Sequence, residues 1–225
     1  MSFWQGIKDL FSDVSKAISK VLTNSTLMQT LLPVLTVAIP PPWDIVALVV
    51  VTVIAAAMDV DEEPDKLGWQ MNEADMKPED FDSFKEYKDY LDNEYPFDQD
   101  KFNAQTPEQK LACRYIGLAG TIVELKETSG FEITPETLGM LAKGAESLGW
   151  DNATLADFAK NTSIALNNNG LPSLSPLEDA VKGTLDPDDF SKVLESMEAA
   201  LKELPEENIK DAVDVISAMR DSESL

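Results

Sequence analysis

The 225-residue chain has no histidine and a single cysteine, Cys113. The first absence removes imidazole general bases, imidazole metal ligands and the Ser-His and Cys-His nucleophile systems. The second removes an internal disulfide and any multi-thiolate zinc or iron–sulfur site. Basic residues are scarce: 18 Lys and Arg stand against 41 Asp and Glu, a formal net charge of −23. Such a surface lacks the cations that neutralise phosphates, so nucleic acid is not expected as a partner. There is no Gly-rich phosphate loop, no Gly-x-Ser-x-Gly elbow and no Ser-x-x-Lys motif. Catalysis would fall to carboxylates, lysine, tyrosine or serine, and 41 acids form accidental pairs on any fold. No catalytic, cofactor-binding or metal-binding residue is assigned, and the chain reads as non-enzymatic.

What is present is uneven. The chain is 44% hydrophobic and 26% charged, a globular composition. Its first 58 residues carry three lysines (Lys8, Lys16, Lys20) and three aspartates (Asp9, Asp13, Asp44), so the whole net charge falls on 59–225. That asymmetry suggests segments that meet different surroundings.

Phe3, Trp4, Ile7, Leu10, Phe11, Val14, Ile18, Val21 and Leu22 recur at helical spacing, with polar residues on the other face. This predicts an amphipathic helix, docked on a core or lying in a membrane interface with Phe3 and Trp4 as aromatic anchors. From Leu27 to Met58 only Gln29 and Asp44 are strongly polar. Pro40, Pro41 and Pro42 divide this stretch, because consecutive prolines lack donors and force extended backbone. The expected form is an apolar helical hairpin with its tip at Pro40–Asp44. Pro33 is expected to interrupt the first arm. Asp44 is expected to cap the second, with Trp43 and Leu48 as a hydrophobic staple. Each arm is shorter than the ~20 apolar residues a spanning helix needs. The hairpin is therefore core, or an element that enters a membrane partway or after a trigger. Ala55, Ala56 and Ala57 resemble a leader-cleavage site, but a leader of that length would be odd, and no cleavage is expected.

Residues 59–103 read as an acidic connector with one short helix, on which Phe84, Tyr87 and Leu91 share a face. Such an aromatic–acidic stripe is a packed face or a site for a basic partner. Asp59, Asp61, Glu62, Glu63 and Asp65 invite comparison with a calcium loop, but Pro64 stands where that pattern needs glycine. A solvated loop fits better. After Asn103 one device recurs: a small polar cap, proline at the first helical position, then an acid. Thr106-Pro107-Glu108, Thr134-Pro135-Glu136, Ser175-Pro176 and Asp186-Pro187-Asp188 show it, and Pro205-Glu206-Glu207 keeps part of it. Leu111–Val123 carries only Arg114 as a charge and reads as the central helix. Gly117 and Gly120 would let another helix approach it closely, and Cys113 reads as a small buried side chain.

The expected class is all-α: a bundle of about eight to ten helices with an N-terminal amphipathic helix and an apolar helical hairpin. It is organised as 1–58, the connector 59–103 and an acidic bundle over 104–225 that is expected to fold alone. A hairpin on a soluble helical bundle is similar in architecture to the pore-forming colicin domains, in which the hairpin lies near the C-terminus. The first expectation for function is a non-enzymatic, membrane-active effector or toxin type, of bacterial or phage kind, kept soluble by the acidic bundle. Phe3, Trp4, Ile7, Phe11, Trp43, Leu48, Val50 and Ile54 would contact lipid or a partner, and insertion is compatible with oligomers. The alternative is an acidic interaction or assembly module whose hairpin is permanent core. A third idea is a nucleic-acid mimic that offers its acids to a basic protein surface.

Overall fold

A computed structural model describes residues 25–39, 43–60, 63–208 and 210–223. The expected amphipathic helix, with Phe3, Trp4, Ile7 and Phe11, lies outside the described residues. Among the described residues the chain is all-α, with eleven α-helices and no strand. The hairpin arms are α1 (Thr26–Ala38) and α2 (Trp43–Ala57). The acidic segment holds α3 (Pro64–Glu73), α4 (Phe84–Glu94) and α5 (Gln99–Asn103), where the sequence suggested one helix. Then come α6 (Pro107–Ser129), α7 (Pro135–Leu148), α8 (Asn152–Asn168), α9 (Ser175–Lys182), α10 (Pro187–Lys202) and α11 (Ala212–Glu223).

The helix starts after residue 104 largely follow the cap-and-proline device. Thr106 and Gln109 form a reciprocal capping box around Pro107: the Gln109 N–H donates to Thr106 Oγ1 and the Thr106 N–H to Gln109 Oε1. Thr134 caps α7, and the Asp186 carboxylate takes two backbone N–H groups of α10. Two starts differ. Ser175 is the first residue of α9 rather than its cap, and its N–H donates to the Ser173 hydroxyl. Pro205-Glu206-Glu207 opens only a 3-10 turn, and α11 begins at Ala212. Proline and acids at that point supply a favourable first turn but no side-chain cap to propagate it.

The core is continuous from Met28 to Met219, so the hairpin, the acidic segment and the C-terminal helices share one apolar interior. α6 is its axis, with 12 of its 23 residues buried. It packs against α1, α2, α3 and α4. α7 carries the hairpin on one side and α11 on the other, and α8 lies between α2 and α10. The hairpin is thus seated among α6, α7 and α8.

Gly117 does permit a close approach, and the approaching helix is α3. A Cβ at Gly117 would lie 1.7 Å from the Pro64 carbonyl oxygen, and a Cβ at Gly68 of α3 would lie 1.7 Å from that of Cys113. Backbone therefore meets backbone at both glycines. The nearest neighbours of a Cβ at Gly120 would be side-chain atoms of Leu67, Met71 and Phe84. Cys113 is buried beside Trp69 and Phe102, and burial pushes its thiol up to about 11, which fits an inert packing role.

Candidate functional site

The apolar hairpin is where the chain departs most from its acidic composition, and its two faces differ. Ser25 starts α1, accepting the Met28 N–H at 3.1 Å and donating its hydroxyl to the Glu79 carboxylate at 2.9 Å. α1 then runs through Pro33 to Ala38 without the expected interruption. A proline inside a helix costs about 3 kcal/mol. Burial of Leu32, Leu35 and Ile39 against α6 and α7 offsets it, while Pro33 sits on the exposed side. On α2 the inward residues are Ala47, Val50, Val51, Ile54 and Ala55. Leu32, Leu35, Ile39, Val50, Val51 and Ile54 are all 1% exposed or less. Exposing these six would cost on the order of 10 kcal/mol at the usual 1.5–3 kcal/mol each. That equals the stability of a typical domain, so the inner face does not open to water while the bundle stays folded.

The end of α1 and the start of α2 are held from α6 by two neighbouring residues. The Tyr115 hydroxyl donates to the Ile39 carbonyl at 2.6 Å, satisfying an acceptor at the end of α1. Burial pushes this phenol well above its ordinary range, so it stays a donor. Arg114 Nη1 meets Asp44 Oδ2 at 2.8 Å, and its Nε and Nη2 reach the two Asp65 oxygens at 3.2 and 3.3 Å. Asp44 is thus inside the first turn of α2, where its carboxylate answers Arg114; the sequence had placed it as a cap before the helix. Although burial works against the charge, the hydrogen bonds it donates to both aspartates leave the Arg114 guanidinium more basic than usual. This joint was missed in the sequence, yet a signal existed. Asp44 is the lone charge of 27–58 and Arg114 the lone charge of 111–123, and isolated charges in apolar helices require each other.

The outward face is apolar and open. Val37 is 70% exposed, Ile45 48% and Val34 39%, and none has a charged neighbour in the sequence of its arm apart from Asp44. Val37 and Ile45 flank the tip. Of the expected contact residues, Trp43 and Leu48 are half-buried against the core, while Val50 and Ile54 are on its inner face. The Lys143 ammonium stands 6.0 Å from the Trp43 ring centroid. Among the described residues no helix is long and apolar enough to cross a membrane, and no group of three acids or thiols is arranged to hold a metal ion.

A cleft of about 190 Å³ lies between α3 and α4, lined by Glu63, Lys66, Gln70, Lys88 and Asp92 among others. Most of its polar groups are paired: Gln70 and Lys66 both reach Asp92, at 3.0 and 3.2 Å, and Lys88 meets Glu124 at 2.8 Å. The Gln70 amide holds Asp92 below the usual carboxylate range. Backbone N–H groups at helix starts do the same for Asp98, through Lys101, and for Asp151, through Thr154. Burial pushes Glu178 up, but hydrogen bonds from Lys182, Thr137 and Thr134 outweigh it and hold it low. Each depressed value contributes stability that is present above the unfolded pKa, near 4, and is lost as pH falls through the folded one. Urea midpoints should therefore be level from pH 7 to about 5 and fall progressively below about 4. A midpoint that rises on acidification would contradict these assignments.

Comparison with family models, with curated proteins and with solved structures finds no match to this chain.

Proposed function

We propose that this is a non-enzymatic, membrane-active protein of effector type that meets lipid through the outer face of its hairpin while the acidic bundle keeps it soluble. The observation that carries the reading is the open apolar face at Val34, Val37 and Ile45 on a chain of net charge −23. Large apolar side chains left exposed on an otherwise charged surface are candidates for an interaction site. The first 58 residues are neutral overall, and the sequence 3–22 has the apolar spacing of an amphipathic helix. Contact at the lipid surface, rather than spanning, fits arms of 13 and 15 residues.

The charge dictates how the test is built. Anionic lipid repels the acidic bundle, so zwitterionic vesicles should bind the full chain better at neutral pH and low salt. Added salt or mild acid should narrow that gap. Val37→Gln with Ile45→Gln, both exposed and therefore harmless to the core, should reduce vesicle flotation several-fold. Val50→Asp is unsuitable because Val50 is buried. Absence of flotation with every lipid between pH 7.5 and 5 would sink the membrane reading. The alternative, an acidic interaction or assembly module, would then stand. It is favoured by one observation: the inner face of the hairpin is locked to α6 through Arg114 and Tyr115.

A further inference from the structure

α4 turns its buried side, Phe84, Tyr87 and Leu91, toward the core, and its start is fixed by the Phe84 N–H donating to Glu127 at 2.7 Å. Beside that face, and packed against the edge of the core, lies a row of half-buried rings, with Tyr90 on α4 and Phe81 and Tyr95 flanking it. Phe81 and Tyr90 have centroids 5.2 Å apart, and Tyr90 and Tyr95 follow at 5.7 Å. Tyr87 lies behind the row, 5.3 Å from Phe81 and 6.3 Å from Tyr90. Met76, 42% exposed, stands at the same end, where its carbonyl accepts from the Tyr87 hydroxyl. The Tyr95 hydroxyl is fixed by the Asp75 N–H at 3.2 Å. The row is partly uncovered, and most of the charges along its segment are acidic. Asp75, Glu79, Asp80, Asp82, Glu86, Asp89 and Glu94 are all exposed, and Lys88, one of three lysines between 75 and 95, is engaged with Glu124.

We propose that this aromatic row is a docking surface for an arginine- and lysine-rich segment of a partner protein. Each component of the surface answers one part of such a segment. Ring faces attract guanidinium and ammonium groups, most strongly where water is partly excluded. Met76 and the ring edges cover the aliphatic stems. The carboxylates raise the local concentration of cations and reject acidic chains. Tyrosine and methionine are also the residues that protein interfaces favour. Acidity alone is not sufficient: α10 is also rich in exposed acids and has a single half-buried ring, Phe190. The surface is separate from the outer face of the hairpin, and its role does not depend on lipid binding.

The full-length protein, labelled with nitrogen-15, should be titrated with an alternating arginine–glycine peptide. Amide shifts should concentrate on residues 75–95. Binding should be tighter for the arginine peptide than for its lysine counterpart, since guanidinium stacks on rings. Phe81→Ala with Tyr90→Ala should weaken it about tenfold, and Glu195→Gln with Glu198→Gln on α10 should change it by less than about twofold. Shifts spread evenly over the acids of α10 and α11, equal losses for both variant pairs, or no binding would overturn the proposal. If the ring variant does not fold, the shift map of the unaltered protein decides by itself. Vesicle flotation of the ring variant should match that of the parent, which separates this surface from the membrane reading.

Discussion

Gly117→Ala should remove a large part of the protein's stability, roughly 3 kcal/mol or more, although it adds one methyl group. The added carbon would start 1.7 Å from the Pro64 carbonyl oxygen. That atom belongs to the backbone of α3 and cannot turn aside as a side chain can. The two helices would have to separate by well over an ångström along a contact where Gly68 and Cys113 are already as tight. Leu67 and Met71, both buried on α3, would lose their packing at once. Gly120→Ala, three residues along the same helix, is the internal control. Its neighbours are Leu67 Cδ2 and Met71 Sδ at 3.0 Å and Phe84 Cζ at 3.1 Å, all side-chain atoms that can shift. It should cost about 1 kcal/mol. Urea unfolding followed by circular dichroism measures both. Similar midpoints for the two variants would mean that α3 and α6 do not cross on glycine.

Arg114→Met should be nearly as damaging, at about 3–5 kcal/mol, the usual result of removing one member of a buried ion pair. The harm comes from what stays behind. Asp44 is 5% exposed and would be left as a buried carboxylate with no cation. Asp65, with a third of its side chain exposed, can rehydrate and should add little. Combining Arg114→Met with Asp44→Leu should restore most of the loss, because an apolar pair of similar volume often replaces a buried ion pair without cost. The double-mutant cycle therefore predicts a coupling of about 2 kcal/mol or more. Additive effects would show that Arg114 and Asp44 do not depend on each other.

Much of the helix inventory was legible because its signals are local. Thr106, Thr134 and Asp186 announce helices within a single turn of themselves, and a cap acts on N–H groups two or three residues away. The all-α class, the central position of 111–123, the burial of Cys113 and the close approach at Gly117 follow from the same short-range reading. Residues 64–73 were harder. The acids from Asp59 to Asp65 look like a solvated loop, and only the packing of Leu67, Gly68 and Met71 on α6 makes α3 an interior helix. At Pro33 the burial of Leu32, Leu35 and Ile39 overrode the local signal and carried the helix through, whereas at Pro205 the missing cap left only a 3-10 turn.

The candidate site divides along the same line. Its location was set by sequence alone, since a stretch of 32 residues with a single charge, Asp44, is conspicuous in a chain of net charge −23. Which side of that stretch is available was not. Beyond Asp44, α2 has only Thr52 as a polar residue and no period to read, so Val50 and Ile45 look equivalent until α6, α7 and α8 are in place. The pairing of Asp44 with Arg114 spans 70 residues and that of Tyr115 with Ile39 spans 76. Sequence determined that each of these groups needed a partner, because burial makes an unmet charge or carbonyl costly. Only the tertiary structure decided which partner, because that depends on how helices far apart in the chain come to lie side by side.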